Sequence, residues 1–118
     1  MSRETISVAA LDTPVAGLVK STPGNYQGKI DVSAMVSGDE AVLRAFQTTE
    51  GGARKYFATV RVNYDNDLTD PDSDNLYVPL PWTIESDQTL GLEITMTANG
   101  AAFPRDFPCS VTNLATLD

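Results

Sequence analysis

From Tyr56 to Tyr64, and again from Leu90 to Ala98, apolar and polar residues alternate one by one. In the first stretch Tyr56, Ala58, Val60, Val62 and Tyr64 interleave with Phe57, Thr59, Arg61 and Asn63. In the second, Leu90, Leu92, Ile94, Met96 and Ala98 interleave with Gly91, Glu93, Thr95 and Thr97. Successive side chains of an extended strand point to opposite faces, so a period of two puts one set into a core and the other toward solvent. A helix of the same length would scatter these apolar residues around its circumference. The two stretches therefore commit the chain to β structure, with Val60, Val62, Leu92 and Ile94 expected in the core.

The remaining segments add shorter strands. Thr5 to Leu11 and Val15 to Lys20 are separated by Asp12-Thr13-Pro14, and the turn Pro23-Gly24-Asn25 precedes Tyr26 to Val32. Ala41 to Gln47 leads through Glu50-Gly51-Gly52-Ala53 into the Tyr56 strand, which predicts a hairpin. Asn99-Gly100 ends the Leu90 strand with two residues tolerant of positive φ, predicting a tight reversal toward Phe107 to Thr112. Pro104 and Pro108 place that partner at an edge or a bulge, and the prolines of Tyr77 to Trp82 put that segment at an edge or between sheets. The one helical candidate, Val32 to Val36, is a single turn, too short to be stable alone. Seven or eight short strands with regular turns predict an all-β fold, a β-sandwich or jelly-roll-like barrel.

A chain of 118 residues has room for one such domain, spanning 1–118, and buries enough surface to need no disulfide or metal. Sixteen acids against eight bases give a net charge of −8, which disfavours nucleic acid unless the cations gather in one patch. No stretch suits a bilayer, so no membrane contact is expected. Glu4, Asp12 and Pro14 interrupt Met1 to Lys20 where a signal peptide would carry an unbroken apolar block, which predicts a protein that stays where it is made. The chain has no histidine and one cysteine, removing His-based triads, ordinary zinc sites and any intrachain disulfide. Cys109 stands beside Pro108 and Ser110, with Arg105 the one base nearby in sequence, and reads as a small core residue. Trp82 reads as a core anchor.

Five of the acids, Asp65, Asp67, Asp70, Asp72 and Asp74, fall in Asp65 to Asn75 with no base among them. Asp70-Pro71-Asp72-Ser73-Asp74-Asn75 spaces oxygen ligands as calcium loops do, but Asn75 and Pro81 stand where an EF-hand needs glycine and glutamate. The segment is expected to be a mobile, solvated acidic loop without bound metal. Glu85, Asp87 and Glu93 are the carboxylates to weigh as acid or base catalysts, and nothing in their spacing pairs any two across a cleft. Gly51-Gly52 opens a strand and lacks the lysine of a phosphate loop. We therefore expect no enzyme and no cofactor, and assign no catalytic, cofactor-binding or metal-ligating residue.

The stretch from Pro23-Gly24-Asn25-Tyr26-Gln27-Gly28 through Ile30-Asp31 to Met35-Val36-Ser37-Gly38-Asp39-Glu40, with Leu43-Arg44 after it, resembles a phrase of small tailed-phage proteins. The resemblance continues through Gly51-Gly52-Ala53-Arg54-Lys55, Tyr77 to Pro81 and Gly100-Ala101-Ala102-Phe103-Pro104, from about Pro23 to Val111. It implies a virion structural protein made in the host cytoplasm, with capsid decoration or cement as the leading role. The implied partner is the major capsid protein, bound by a homo-oligomer, most simply a trimer. A component of the tail, neck or adsorption apparatus is the alternative. Met1 to Lys20 would then be an extended contact arm or, equally, an ordinary first strand. Arg54-Lys55-Tyr56, the strand after it and the segment reaching Trp82 also resemble coat proteins of single-stranded RNA phages. Those coats end in helices and bind RNA on a base-rich sheet face, whereas Phe103 to Asp118 lacks a helical period and only Arg61 faces outward from the Tyr56 strand by alternation.

Overall fold

Two antiparallel sheets pack face to face in a computed structural model that describes residues 2–48, 52–68, 76–77, 82–85 and 88–114. Strand makes up 65% of it and helix 4%, and the molecule is an all-β sandwich. One sheet contains β1 (Ser2–Val8), β9 (Arg105–Asn113) and β3 (Gly24–Asp31) in that order. Two short strands, β6 (Leu76–Tyr77) and β7 (Trp82–Ile84), take successive stretches of the free edge of β3. The other sheet runs β2 (Val15–Lys20), β8 (Thr89–Ala98), β4 (Glu40–Thr48), β5 (Arg54–Asn63). A single helical turn, α1 (Tyr64–Asp67), follows β5 directly.

Alternation sorts the side chains as a sandwich requires. Ile6, Val8, Tyr26, Ile30, Phe107, Cys109 and Val111 face inward from the first sheet and meet Ala41, Leu43, Ala45, Leu90, Leu92, Ile94 and Met96 from the second. Burying each large aliphatic contributes about 1.5–3 kcal/mol. The smallest extent of the molecule is 20 Å, which suits two layers about 10 Å apart with their outer side chains. Leu92, Ile94, Trp82 and Cys109 are in this core.

Val60 and Val62 are not fully buried; they pack only partly against the core. The cause is position: among the described residues β5 is the last strand of its sheet and has a neighbour on one side only, β4. The hairpin of β4 and β5 forms as expected, with Leu43 opposite Val60, but Phe57 is an extra residue between the Ala45–Ala58 and Phe46–Tyr56 pairs. This bulge shifts the apolar face of β5 at its beginning.

The reversal expected after Asn99-Gly100 is instead a passage between sheets. β8 pairs with β2 and β4, whereas β9 lies in the opposite sheet between β1 and β3. Pro108 thus stands in an inner strand and not at an edge. It is tolerated because the β3–β9 ladder ends at the Ile30–Cys109 pair, so at Pro108 only β1 lies alongside. Val32 to Val36 is not helical. Among the described residues the one helical turn falls on Tyr64 to Asp67, where the sequence predicted the end of a strand and, from Asp65, a mobile loop. Asn63 caps it, its side chain accepting from the Asp65 N–H at 3.1 Å, while Asp67 accepts from the Asn63 N–H at 2.8 Å. Residues 69–75, the calcium-like part of the acidic segment, lie outside the described residues. Residues 2–8 and 15–20 are strands of the domain's own sheets.

Candidate functional site

The outer face of the four-stranded sheet carries a cluster that the strand alternation builds row by row. Gly91, Phe46 and Tyr56 stand opposite one another across β8, β4 and β5; the next row holds Ala16, Glu93, Arg44 and Thr59, and Arg61 is opposite Val42 beyond it. The far end of the Phe46 ring fills the space that Gly91 leaves. A Cβ at position 91 would come within 2.5 Å of the Phe46 ring.

Glu93 is 2% exposed on this outward-facing surface because its neighbours fold over it. The Arg54 guanidinium donates to Glu93 Oε2 at 3.0 Å, and the Tyr56 hydroxyl donates to the same oxygen at 2.8 Å. Arg54 also lies 4.0 Å from the centre of the Phe46 ring, and Arg44 lies 4.8 Å from that of Tyr56. Both aromatic faces are therefore occupied by guanidinium groups of the same molecule. Of the eight bases in the chain, Arg44, Arg54, Lys55 and Arg61 are on β4 and β5. Alternation made Arg61 the only base facing outward from the Tyr56 strand, because it could not show the bulge at Phe57 that brings Arg54 and Tyr56 to the same face as Thr59 and Arg61.

A second charged pair is internal. Asp39 is fully buried, and Arg105 grips it with two parallel bonds, Nη1 to Oδ1 at 2.7 Å and Nη2 to Oδ2 at 2.6 Å. The remaining lone pairs accept the N–H groups of Gly100 and Val36, both at 2.7 Å, and Arg105 also donates to the Ala34 carbonyl at 2.9 Å. Burial alone would raise the Asp39 pKa, but the bonds from Arg105, Gly100 and Val36 more than offset it and hold the carboxyl below its usual value. The segment before β4 and the segment before β9 are thereby tied together. Asp65 fastens α1 to the same place, accepting from the Ser37 hydroxyl at 2.8 Å and the Gly38 N–H at 3.1 Å. Gly100 is required there, since a Cβ would collide with the Ser37 carbonyl oxygen.

A cleft of about 160 Å³ opens beside α1, lined by Glu40, Arg61, Val62, Asn63, Asp67 and Thr97. Glu40 accepts from the Asn63 side chain at 2.5 Å. Among the described residues no three Cys, Asp or Glu side chains converge as metal ligands would, and no helix is long and apolar enough to cross a membrane. The carboxylates weighed as catalysts are not brought together: Glu85 follows β7 in one sheet, Glu93 is on the outer face of the other, and Asp87 lies outside the described residues. Burial pushes the Cys109 thiol up to about 12, with the nearby Glu4 and Asp31 carboxylates adding to the shift.

No family model, curated protein or solved structure matches this chain.

Proposed function

We infer that this protein is a non-enzymatic structural component of a tailed-phage virion that decorates or cements the outer face of the capsid shell. Its partner is the major capsid protein, and it acts as a homo-oligomer, most simply a trimer. One observation supports this reading above the others. The segments that resemble small tailed-phage proteins, Val36 to Asp39 and Gly100 to Pro104, are about sixty positions apart, yet they meet around a single ion pair, with Asp39 accepting from both Gly100 and Arg105. The resemblance thus follows one physical requirement, a rigid end of the sandwich, across most of the chain. A decoration protein also gains from many weak contacts made at once by identical patches, which a closed oligomer supplies.

The coat-protein reading loses support because Arg105 to Asn113, where those coats carry helices, is an inner strand of the sandwich. Particle reconstruction tests the proposal. Density for this chain in a shell-wide array supports decoration, whereas a ring of few copies at the tail or neck rejects it in favour of the alternative.

A further inference from the structure

Strand β5, whose far edge no described strand pairs, is where the molecule concentrates positive charge. Residues 54–63 contain Arg54, Lys55 and Arg61 and no acid, in a chain of net charge −8. Arg54 is engaged with Glu93, but Lys55 and Arg61 are exposed and make no salt bridge among the described residues. Tyr56 and Phe57 on the same strand are 41% and 43% exposed. Among the described residues no strand pairs the far side of β5. An edge of this length presents a row of backbone donors and acceptors to any extended chain that can approach it.

We propose that β5 is a docking edge for an acidic, extended segment of a partner protein, which adds to the sheet as a fifth strand beside β5. The charge pattern selects this occupant. A second copy of β5 paired antiparallel would bring Arg54, Lys55 and Arg61 against the same three cations, so the feature that attracts an acidic strand repels self-pairing. Single-stranded nucleic acid fits less well. Arg54 lies over the Phe46 ring, Arg44 over one face of Tyr56, and Phe57 packs against Trp82, which limits stacking by bases, and a phosphodiester chain has no N–H donors to return to the β5 carbonyls. In strand addition the backbone ladder supplies affinity and alternate side chains supply selectivity, here through carboxylates on one face of the added strand that meet Arg61, while Lys55, paired with Gln47 on the opposite face, adds to the general attraction. The proposal does not rest on the virion reading.

The test uses the full chain and a peptide of alternating threonine and glutamate with as many residues as β5, followed by NMR at low salt. Binding should shift the amides of β5 more than those of β2, slow hydrogen exchange at every second β5 amide, and weaken roughly tenfold or more when salt rises from about 0.05 to about 0.5 M. The exposed-site variants Lys55→Glu and Arg61→Glu should each weaken it severalfold, with an unchanged far-ultraviolet spectrum as the folding control. Equal binding of the matching threonine–lysine peptide, tighter binding of an oligouridylate, a dimer that buries β5 in sedimentation, or no shift at β5 would each overturn the proposal.

Discussion

Asp39 accepts four hydrogen bonds, two from the backbone N–H groups of Val36 and Gly100 and two from the Arg105 guanidinium, and so ties the segment before β4 to the start of β9. Replacing it with alanine leaves Arg105 buried without its counter-charge and should cost about 3–5 kcal/mol, measured by urea unfolding. The pH dependence has a definite sign. Because the folded carboxyl titrates below its ordinary value of 3.8, its contribution is complete above that value and is lost as pH falls toward the folded pKa. Wild-type stability should therefore drop between about pH 5 and pH 2 by more than that of Asp39→Asn, which has no charge to lose. A parallel loss in both proteins would show that other carboxylates govern acid unfolding. Cys109 gives a separate check. A buried thiol with its pKa pushed up to about 12 should not react with a disulfide reagent at about pH 8 until the protein is unfolded. At Gly91 the steric demand is equally local, and Gly91→Ala must displace the Phe46 ring, at about 1–3 kcal/mol.

Strands differ in what they tolerate, and β8 and β5 mark the extremes. β8 has neighbours on both sides and is buried on both faces along most of its length, so Leu92→Ala or Ile94→Ala should cost about 2–5 kcal/mol. Val60→Ala on β5 should cost about 1 kcal/mol or less, because that side chain is already partly in water. Equal costs would mean that β5 is covered on its open side. Alternation alone identified both strands, because periodicity reports local geometry. It could not rank them, because the order of strands in a sheet is set by contacts between distant segments. The same limit explains Pro108, read as marking an edge or a bulge, whereas the end of the β3 ladder makes it acceptable. The Asp39–Arg105 pair was invisible for this reason too. Neither residue stands in a motif whose spacing announces a partner 66 positions away. Glu93 was noticed as a carboxylate, yet its burial under Arg54 and Tyr56 follows from hairpin register, which the bulge at Phe57 resets.

As a whole the molecule should show the far-ultraviolet circular dichroism of a strand-rich protein with almost no helical signal, in line with 65% strand and 4% helix; dominant helix would reject the fold. Its two sheets share one core, so urea unfolding followed by Trp82 fluorescence and by circular dichroism should give coincident transitions. The order of strands also imposes a timetable on the ribosome. Among the described strands β9 is the latest in the chain, yet it separates β1 from β3, two of the earliest. Synthesis from Asp31 to Arg105 takes on the order of 4 to 15 s at about 5–20 residues per second. Throughout that interval β1 and β3 have no β9 to pair with, while β2, β4, β5 and β8 can already assemble once Ala98 has emerged. A nascent chain stalled before Arg105 should therefore expose β1 and the edge of β3 that faces β9 to protease and to chaperones, while β6 and β7 can already pair the other edge of β3, and synthesis of β9 should close the sheet in one step.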